Sequence, residues 1–133
     1  MAEHLARQTE TTLTSAQLEI MNLFWEHGEL GVAQVWRFLS TRRKIARNTV
    51  QTTLTRLVEK GWLRARANGV AFCFRAARPR KSTLRAMANQ LLDTAFGGSV
   101  SGLVMTLLET RELGPGEVER IRELIDQVQD GKK

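Results

Sequence analysis

The sequence contains one cysteine, two histidines, two prolines and no tyrosine among its 133 residues. The single cysteine, Cys73, excludes an intramolecular disulfide and is typical of a protein from a reducing cytoplasm. His4 and His27 have no cysteine or aspartate at ligand spacing, so no metal site is expected. The chain has no phosphate-binding glycine loop and no Gly-x-Ser-x-Gly motif. We therefore expect neither a cofactor nor a catalytic site.

Long apolar runs are also missing. No run approaches the roughly 20 residues of a membrane-spanning helix, and the N-terminal residues lack the apolar segment of a signal peptide. We therefore expect no membrane insertion. The hydrophobic content of 42% is enough for a modest core in one domain, or in a small domain with an appendage.

Charge is distributed unevenly along the chain. Residues 1–85 hold 15 lysines and arginines against 6 acidic residues, a net charge of +9. Residues 86–133 hold 5 against 8, a net charge of −3, which leaves +6 for the whole chain. The basic part suits a polyanion such as nucleic acid, although many basic domains bind nothing specific.

The first half of the chain has the pattern of three helices. Residues 1–12 are polar and are expected to form a flexible arm. Thr14-Ser15-Ala16-Gln17 has the capping-box pattern that begins a helix. Apolar positions spaced three and four residues apart predict helices over 15–27, 32–41 and 48–60.

A β-hairpin is predicted directly after these helices. From Trp62 onward the apolar spacing changes to two residues, which predicts a strand over 62–66 and a returning strand from Val70. Asn68-Gly69 between them predicts a type I′ turn, which needs positive φ at both positions. Three helices and a hairpin are the parts of a winged helix-turn-helix, assigned to residues 13–78.

The third helix has two different faces. Four aliphatic side chains form one face, Asn48 is the predicted N-cap, and Gly61 lies where a left-handed C-terminal cap would fall. The other face carries hydroxyls, amides and one arginine, which bond to phosphates and base edges in a major groove. An ordinary solvated surface is the alternative, because threonine is a poor helix former. The predicted DNA-binding residues here are Asn48, Thr49, Gln51, Thr52, Thr55 and Arg56, with Thr49 and Arg56 assigned to phosphate.

Basic residues stand on both sides of this helix in the sequence. Cations next to the N-terminus of a recognition helix lie where the phosphate backbone passes, although a basic loop can also be merely solvated. Arg75 and Arg78 add positive charge to the predicted wing. The predicted phosphate contacts are Arg42, Arg43, Lys44, Arg47, Arg64 and Arg66.

Residues 79–133 repeat the helical spacing three times, with breaks at Gly97-Gly98 and Gly114-Pro115-Gly116. Three such helices cannot bury their apolar faces on themselves, so they pack on the winged helix or on a second copy. We favour a dimer, whose two-fold symmetry matches a palindromic site. The expected fold is mainly α, a winged helix-turn-helix DNA-binding domain followed by a three-helix C-terminal dimerisation region. The predicted dimerisation residues are Leu84, Met87, Leu91, Leu92, Phe96, Val100, Leu103, Val104, Leu107, Ile121, Leu124 and Ile125.

Three segments resemble the penicillinase repressor family of bacterial transcription regulators, the BlaI and MecI type. They are Leu13-Thr14-Ser15-Ala16-Gln17-Leu18-Glu19-Ile20-Met21 through Trp25, residues 48–61, and Phe96-Gly97-Gly98-Ser99 with Leu103-Val104. The resemblance covers about residues 13–128. It implies a homodimeric repressor in the bacterial cytoplasm that binds palindromic operators on double-stranded DNA and regulates genes such as those for antibiotic resistance.

The resemblance also implies how repression ends. A membrane-bound metalloprotease sensor, or its effector, leads to cleavage in the dimerisation region, at an Asn-Phe pair for which this chain has Thr106-Leu107. A related branch senses copper through C-terminal cysteines, which are absent after Cys73. The alternative function is a winged helix that binds protein or RNA without operator recognition. A steep salt dependence with preference for one duplex distinguishes the two.

Overall fold

The computed structural model describes residues 12–69 and 71–131, so the arm predicted for residues 1–12 lies almost entirely outside it. Within these ranges six helices and a small three-stranded sheet make the protein mainly helical, as predicted. The elements are α1 (Ser15–His27), β1 (Leu30–Gly31), α2 (Val32–Ser40), α3 (Arg47–Glu59), β2 (Leu63–Asn68), β3 (Ala71–Ala76), α4 (Arg80–Phe96), α5 (Val100–Thr110) and α6 (Pro115–Gly131).

The described residues form two compact units, one up to Met87 and one from Ala88 onward. The division therefore falls inside α4, after the Pro79 that precedes this helix. In the first unit, α1, α2, α3 and the hairpin enclose one apolar core. Its largest fully buried side chains are Met21, Phe24, Val35, Leu39, Val50, Leu54, Leu57 and Leu63. Burying each of these side chains contributes roughly 1.5–3 kcal/mol, so all three helices depend on this core.

The capping box predicted at the start of α1 is confirmed. The Gln17 amide donates to the Thr14 hydroxyl at 3.1 Å, and the Thr14 amide donates to the Gln17 side chain at 3.0 Å. These bonds satisfy two amides that the helix itself leaves unpaired. Gly28 ends α1 at φ +81°, a conformation that costs glycine little because it has no Cβ.

The wing is an antiparallel hairpin that also pairs with β1, in the order β1-β3-β2. The predicted type I′ turn at Asn68-Gly69 is wrong. Asn68 is the last residue of β2, pairs with Ala71 and has no positive φ, whereas Gly69 has φ +71°. Strand β2 continues to Asn68, two residues beyond the predicted 62–66, so Asn68 remains extended and Gly69 adopts the left-handed conformation.

The second unit contains the rest of α4 and all of α5 and α6. Gly97 and Gly98 break the helical pattern at φ +56° and +82°, and the Ser99 hydroxyl caps α5 by accepting from the Gly102 amide at 3.0 Å. No residue of α5 or α6 is fully buried in the single chain. Among the described residues, no single helix is long and apolar enough to cross a membrane. By length and composition α4 and α5 reach that size only as a pair, with a 92° bend between them.

Candidate nucleic-acid interface

The two faces of α3 differ as the sequence predicts. Val50, Leu54 and Leu57 are fully buried and hold the helix against the core. The opposite face is exposed and forms a shallow open groove of about 550 Å³. The groove is lined by Asn48, Gln51, Thr52, Thr55, Arg56 and Glu59. A helix anchored on one side that presents polar groups on the other can enter a major groove as a rigid element.

The N-terminus of α3 differs from the prediction. Ala46 is the N-cap and supplies no side-chain bond, so the assignment of Asn48 as N-cap is wrong. The helix begins one residue earlier, at Arg47, and Asn48 therefore lies in the first turn with its side chain exposed. The amide of Asn48 is consequently available on the groove face. At the other end Gly61 has φ +85°, which confirms the predicted left-handed glycine.

The threonines of α3 are not equivalent. The Thr55 hydroxyl donates to the Gln51 carbonyl at 2.9 Å, and the Thr53 hydroxyl donates in the same way to the Thr49 carbonyl. Thr55 therefore presents oxygen lone pairs and a methyl group to the groove, which suit an amino group or the methyl of thymine. Within the described ranges Thr52 makes no such bond, so its hydroxyl can donate as well as accept.

Glu59 is not among the residues predicted to bind DNA, yet it lies on the same exposed face. It is exposed in the last turn of α3 and lines the same groove as Thr55 and Arg56. The signal was available, because position 59 follows positions 55 and 56 by four and three residues on one helical face. A carboxylate repels phosphate but accepts a hydrogen bond from the amino group of cytosine.

Four cations lie between α2 and α3 or on the first residue of α3, and we call them the connector cations. They are Arg42, Arg43, Lys44 and Arg47, and all four are exposed. Two of them have partners that the sequence did not reveal. Arg43 forms an ion pair with Glu19 of α1, with Nη2 at 3.0 Å from Oε1. Arg47 lies over the Trp36 ring of α2, with its guanidinium carbon 4.8 Å from the ring centroid. These two side chains are held in place by the body of the domain.

Arg64 and Arg66 are both exposed on strand β2 of the wing. Arg64 is opposite Arg75 in the hairpin, so two positive charges are neighbours there. Arg66 donates to the Glu29 carboxylate, and this hydrogen bond and the charge of Glu29 raise the pKa of Arg66 above its usual value. Arg66 therefore remains charged under all ordinary conditions.

Arg78 has tertiary contacts that the sequence did not reveal. Its guanidinium lies over the Trp62 ring, 4.2 Å from the centroid, and its carbonyl accepts a hydrogen bond from the Trp25 indole at 2.9 Å. These contacts keep the residue half-buried at the end of the hairpin. Arg78 therefore lies after the end of β3, where its guanidinium is stacked on an indole instead of extending freely into solvent.

The predicted dimerisation residues differ in exposure. Leu84, Met87, Leu92, Phe96 and Leu103 are half-buried, and Met87 packs against the core of the first unit. The others retain between 39% and 62% of their surface exposed, an unusual fraction for aliphatic side chains. They are Leu91, Val100, Val104, Leu107, Ile121, Leu124 and Ile125. Thr106 and Leu107, the candidate cleavage pair, lie within α5.

This fold and this surface define a winged helix-turn-helix DNA-binding transcription regulator. Its fold is similar to that of the homodimeric winged helix-turn-helix DNA-binding domain of a Mycobacterium bovis protein. The TM-score is 0.50 at 20% identity, covering 74% of this chain and 83% of that chain. The penicillinase repressor family model matches residues 13–127, so the chain belongs to the penicillinase repressor family.

Curated relatives agree with this assignment and confirm the resemblance seen in the motifs. The chain is 24% identical over 121 residues to the penicillinase repressor of Bacillus licheniformis, covering 91% of this chain and 94% of that protein. It is 20% identical over 114 residues to the methicillin resistance regulatory protein MecI of Mammaliicoccus sciuri, covering 86% and 93%.

Proposed function

We propose that this protein is a cytoplasmic repressor that binds a palindromic operator as a homodimer. The observation that carries the proposal is the division of α3, whose apolar face is fully buried while its opposite face is polar and exposed. The exposed cations before α3 and on the wing stand on either side of this face in the sequence. Together they supply the two kinds of contact that operator binding needs, to bases and to phosphates.

We assign base contacts to the groove residues Asn48, Gln51, Thr52 and Thr55. Thr49 and Arg56 contact phosphate, as do the connector and wing cations. The Gln51 side chain can pair with adenine through two hydrogen bonds, a geometry that no other base reproduces. Thr55 is restricted to accepting because its hydroxyl proton is already donated within the helix. The assignments therefore predict which substitutions change sequence preference and which change only affinity.

Selection of tight-binding duplexes from a random pool is expected to return a palindrome, and Gln51→Ala should lose preference at one base pair per half-site. A lost bidentate contact reduces discrimination by about 1–3 kcal/mol. Arg56→Ala is the matched control on the same face, and we expect it to weaken all duplexes alike. An unchanged preference for Gln51→Ala would contradict the base assignment. Binding without preference for any duplex would favour a protein- or RNA-binding module instead.

The connector and wing arginines are expected to provide affinity that does not depend on sequence. For Arg43→Ala and Arg66→Ala, the slope of log K against log salt should fall by about 0.9 per lost phosphate contact. The matched control is Arg111→Ala, which removes the same charge just after α5, outside the proposed surface. Equal slopes for all three variants and the wild type would place Arg43 and Arg66 on the solvated surface.

We propose that residues 79–133 form the dimerisation region and that 13–78 form the DNA-binding domain. The exposed aliphatic side chains of α5 and α6 support this proposal. Burying them against a second copy would stabilise the dimer by about 25 cal/mol per Å² of apolar surface. When two winged helices are linked in a dimer, binding of the first half-site holds the second winged helix near the second half-site. The second winged helix therefore binds at a high effective concentration. Dimerisation would therefore control operator affinity.

We also propose that repression ends by cleavage between Thr106 and Leu107, through a membrane-bound metalloprotease sensor or its effector. Cleavage there would divide the aliphatic stripe of α5. The peptide bond between Thr106 and Leu107 lies inside the helix α5, where the Thr106 hydroxyl donates to the Gly102 carbonyl at 2.9 Å. A protease would reach it only when α5 unfolds locally. In this proposal the regulated genes include those for antibiotic resistance, as the names of the relatives suggest.

A further inference from the structure

Trp36 makes two contacts that converge on the start of the recognition helix. Its indole N–H donates to the Ile45 carbonyl at 2.7 Å, and its ring lies beneath the Arg47 guanidinium at 4.8 Å. Ile45 and Arg47 stand on either side of Ala46, the N-cap of α3. A single half-buried side chain of α2 therefore holds both the backbone before α3 and the first cation of α3.

The position of Arg47 is unfavourable for the helix itself. A cation in the first turn faces the positive end of the helix dipole, and Ala46 offers no side-chain acceptor to offset that charge. The contact with Trp36 compensates, because the negative face of an indole attracts a guanidinium. The same contact restricts a long side chain that would otherwise sample many rotamers.

We propose that Trp36 is a positioning residue for DNA binding, which orients Arg47 toward a phosphate next to the N-terminus of α3. The proposal rests on the DNA-binding function proposed above. An arginine already held in its bound conformation loses less entropy on binding than a free one. Trp36 itself need not touch the DNA, since it acts through Arg47.

A double-mutant cycle tests this coupling. Trp36→Phe, Arg47→Ala and the double variant are compared with the wild type on a mixed-sequence duplex of about 30 bp, which accommodates two half-sites. We expect Arg47→Ala to lower the salt slope by about 0.9 per bound subunit. We expect Trp36→Phe to weaken binding about fivefold when Arg47 is present and less than about twofold when it is replaced, as expected for side chains that act together.

Equal losses from Trp36→Phe in both backgrounds would overturn the positioning role, as would unchanged affinity in the Trp36→Phe variant. Arg47→Lys provides a second variant, which keeps the charge but stacks less well on an indole. We expect Arg47→Lys to keep the wild-type salt slope, and we expect adding Trp36→Phe to this variant to lower its DNA affinity only slightly. If Trp36→Phe weakened binding as much with lysine at position 47 as with arginine, the role of the stacked guanidinium would be contradicted.

The chain offers a matched control in Arg78, whose guanidinium lies over Trp62 in a similar stack. Trp62 follows the C-terminal end of α3, so this stack is at the opposite end of the helix from Arg47. We expect Arg78→Ala to keep the wild-type salt slope. If Arg78→Ala lowered the salt slope as much as Arg47→Ala does, the loss of any stacked positive charge would explain the result. The assignment of Arg47 to a phosphate contact positioned by Trp36 would then be overturned.

Two further measurements separate this inference from the proposed function. In the free protein the Arg47 side-chain proton resonances should carry an upfield ring-current shift that falls in Trp36→Leu, and an unshifted wild-type resonance would overturn the stack. Thermal unfolding of each variant checks that the domain remains folded. A wild-type protein without salt-dependent affinity for duplex DNA would contradict the proposed function, whereas independent effects of Trp36 and Arg47 contradict only the positioning role.

Discussion

Val104→Asp is expected to convert the protein to a monomer that binds a full palindrome weakly. Val104 is 46% exposed within one chain, so a single subunit tolerates the carboxylate in water. In a dimer interface the same carboxylate would be buried without a partner, which costs several kcal/mol. Sedimentation measures the association, and duplexes with one or two half-sites measure the consequence for binding. We expect Val104→Asp to bind a duplex with a single half-site as tightly as the wild-type protein does.

Ser101→Asp is the matched control for this prediction. Ser101 lies in the first turn of α5 and outside the aliphatic stripe, where a negative charge is favourable for the helix dipole. We expect this variant to remain dimeric. A Val104→Asp protein that stays dimeric, or that binds the palindrome normally as a monomer, would separate dimerisation from repression. Cleavage between Thr106 and Leu107 should have the same effect as Val104→Asp.

Leu54→Ala is expected to lower the free energy of unfolding by about 2–5 kcal/mol, the range for a large-to-small change in a packed core. Leu54 is fully buried on the apolar face of α3, opposite the exposed polar face that is proposed to contact DNA. The loss should therefore reduce operator binding through unfolding, with no change in sequence preference for the molecules that remain folded. Urea unfolding measures the first effect, and selection of duplexes measures the second.

Thr52→Ala is the control on the exposed face of the same helix. Its effect on the free energy of unfolding should lie within about 0.5 kcal/mol, as for most surface substitutions. We expect it instead to change base preference. A loss below about 1 kcal/mol for Leu54→Ala would show that α3 is not packed as the structure describes.

The capping of α1 and α3 shows where sequence reasoning succeeds and where it fails. The Thr14 capping box was predictable because its two bonds join residues three apart. The start of α3 was not, because Ala46, Arg47 and Asn48 are each compatible with the first turn. The indole of Trp36 binds the carbonyl of Ile45 immediately before this helix, and that contact comes from α2.

What the sequence determined by itself is periodic or local. The spacing of Val50, Leu54 and Leu57 determined the buried face of α3, and Gly61 determined its end. The charge of +9 in residues 1–85 indicated a polyanion as partner. These features follow from neighbours within one helical turn or from composition, so no tertiary contact is needed to recognise them.

Only the tertiary structure decided which basic residues are held and in what way. Glu19 and Arg43 are 24 residues apart, Glu29 and Arg66 are 37 apart, and the indole of Trp25 bonds to a carbonyl 53 residues further on. Such pairs meet only when helices and hairpin pack around the shared core, and local sequence patterns carry no record of them. This is why Arg78 looked like a wing residue in the sequence yet lies against Trp62, and why the partnership of Trp36 and Arg47 emerged only from the fold.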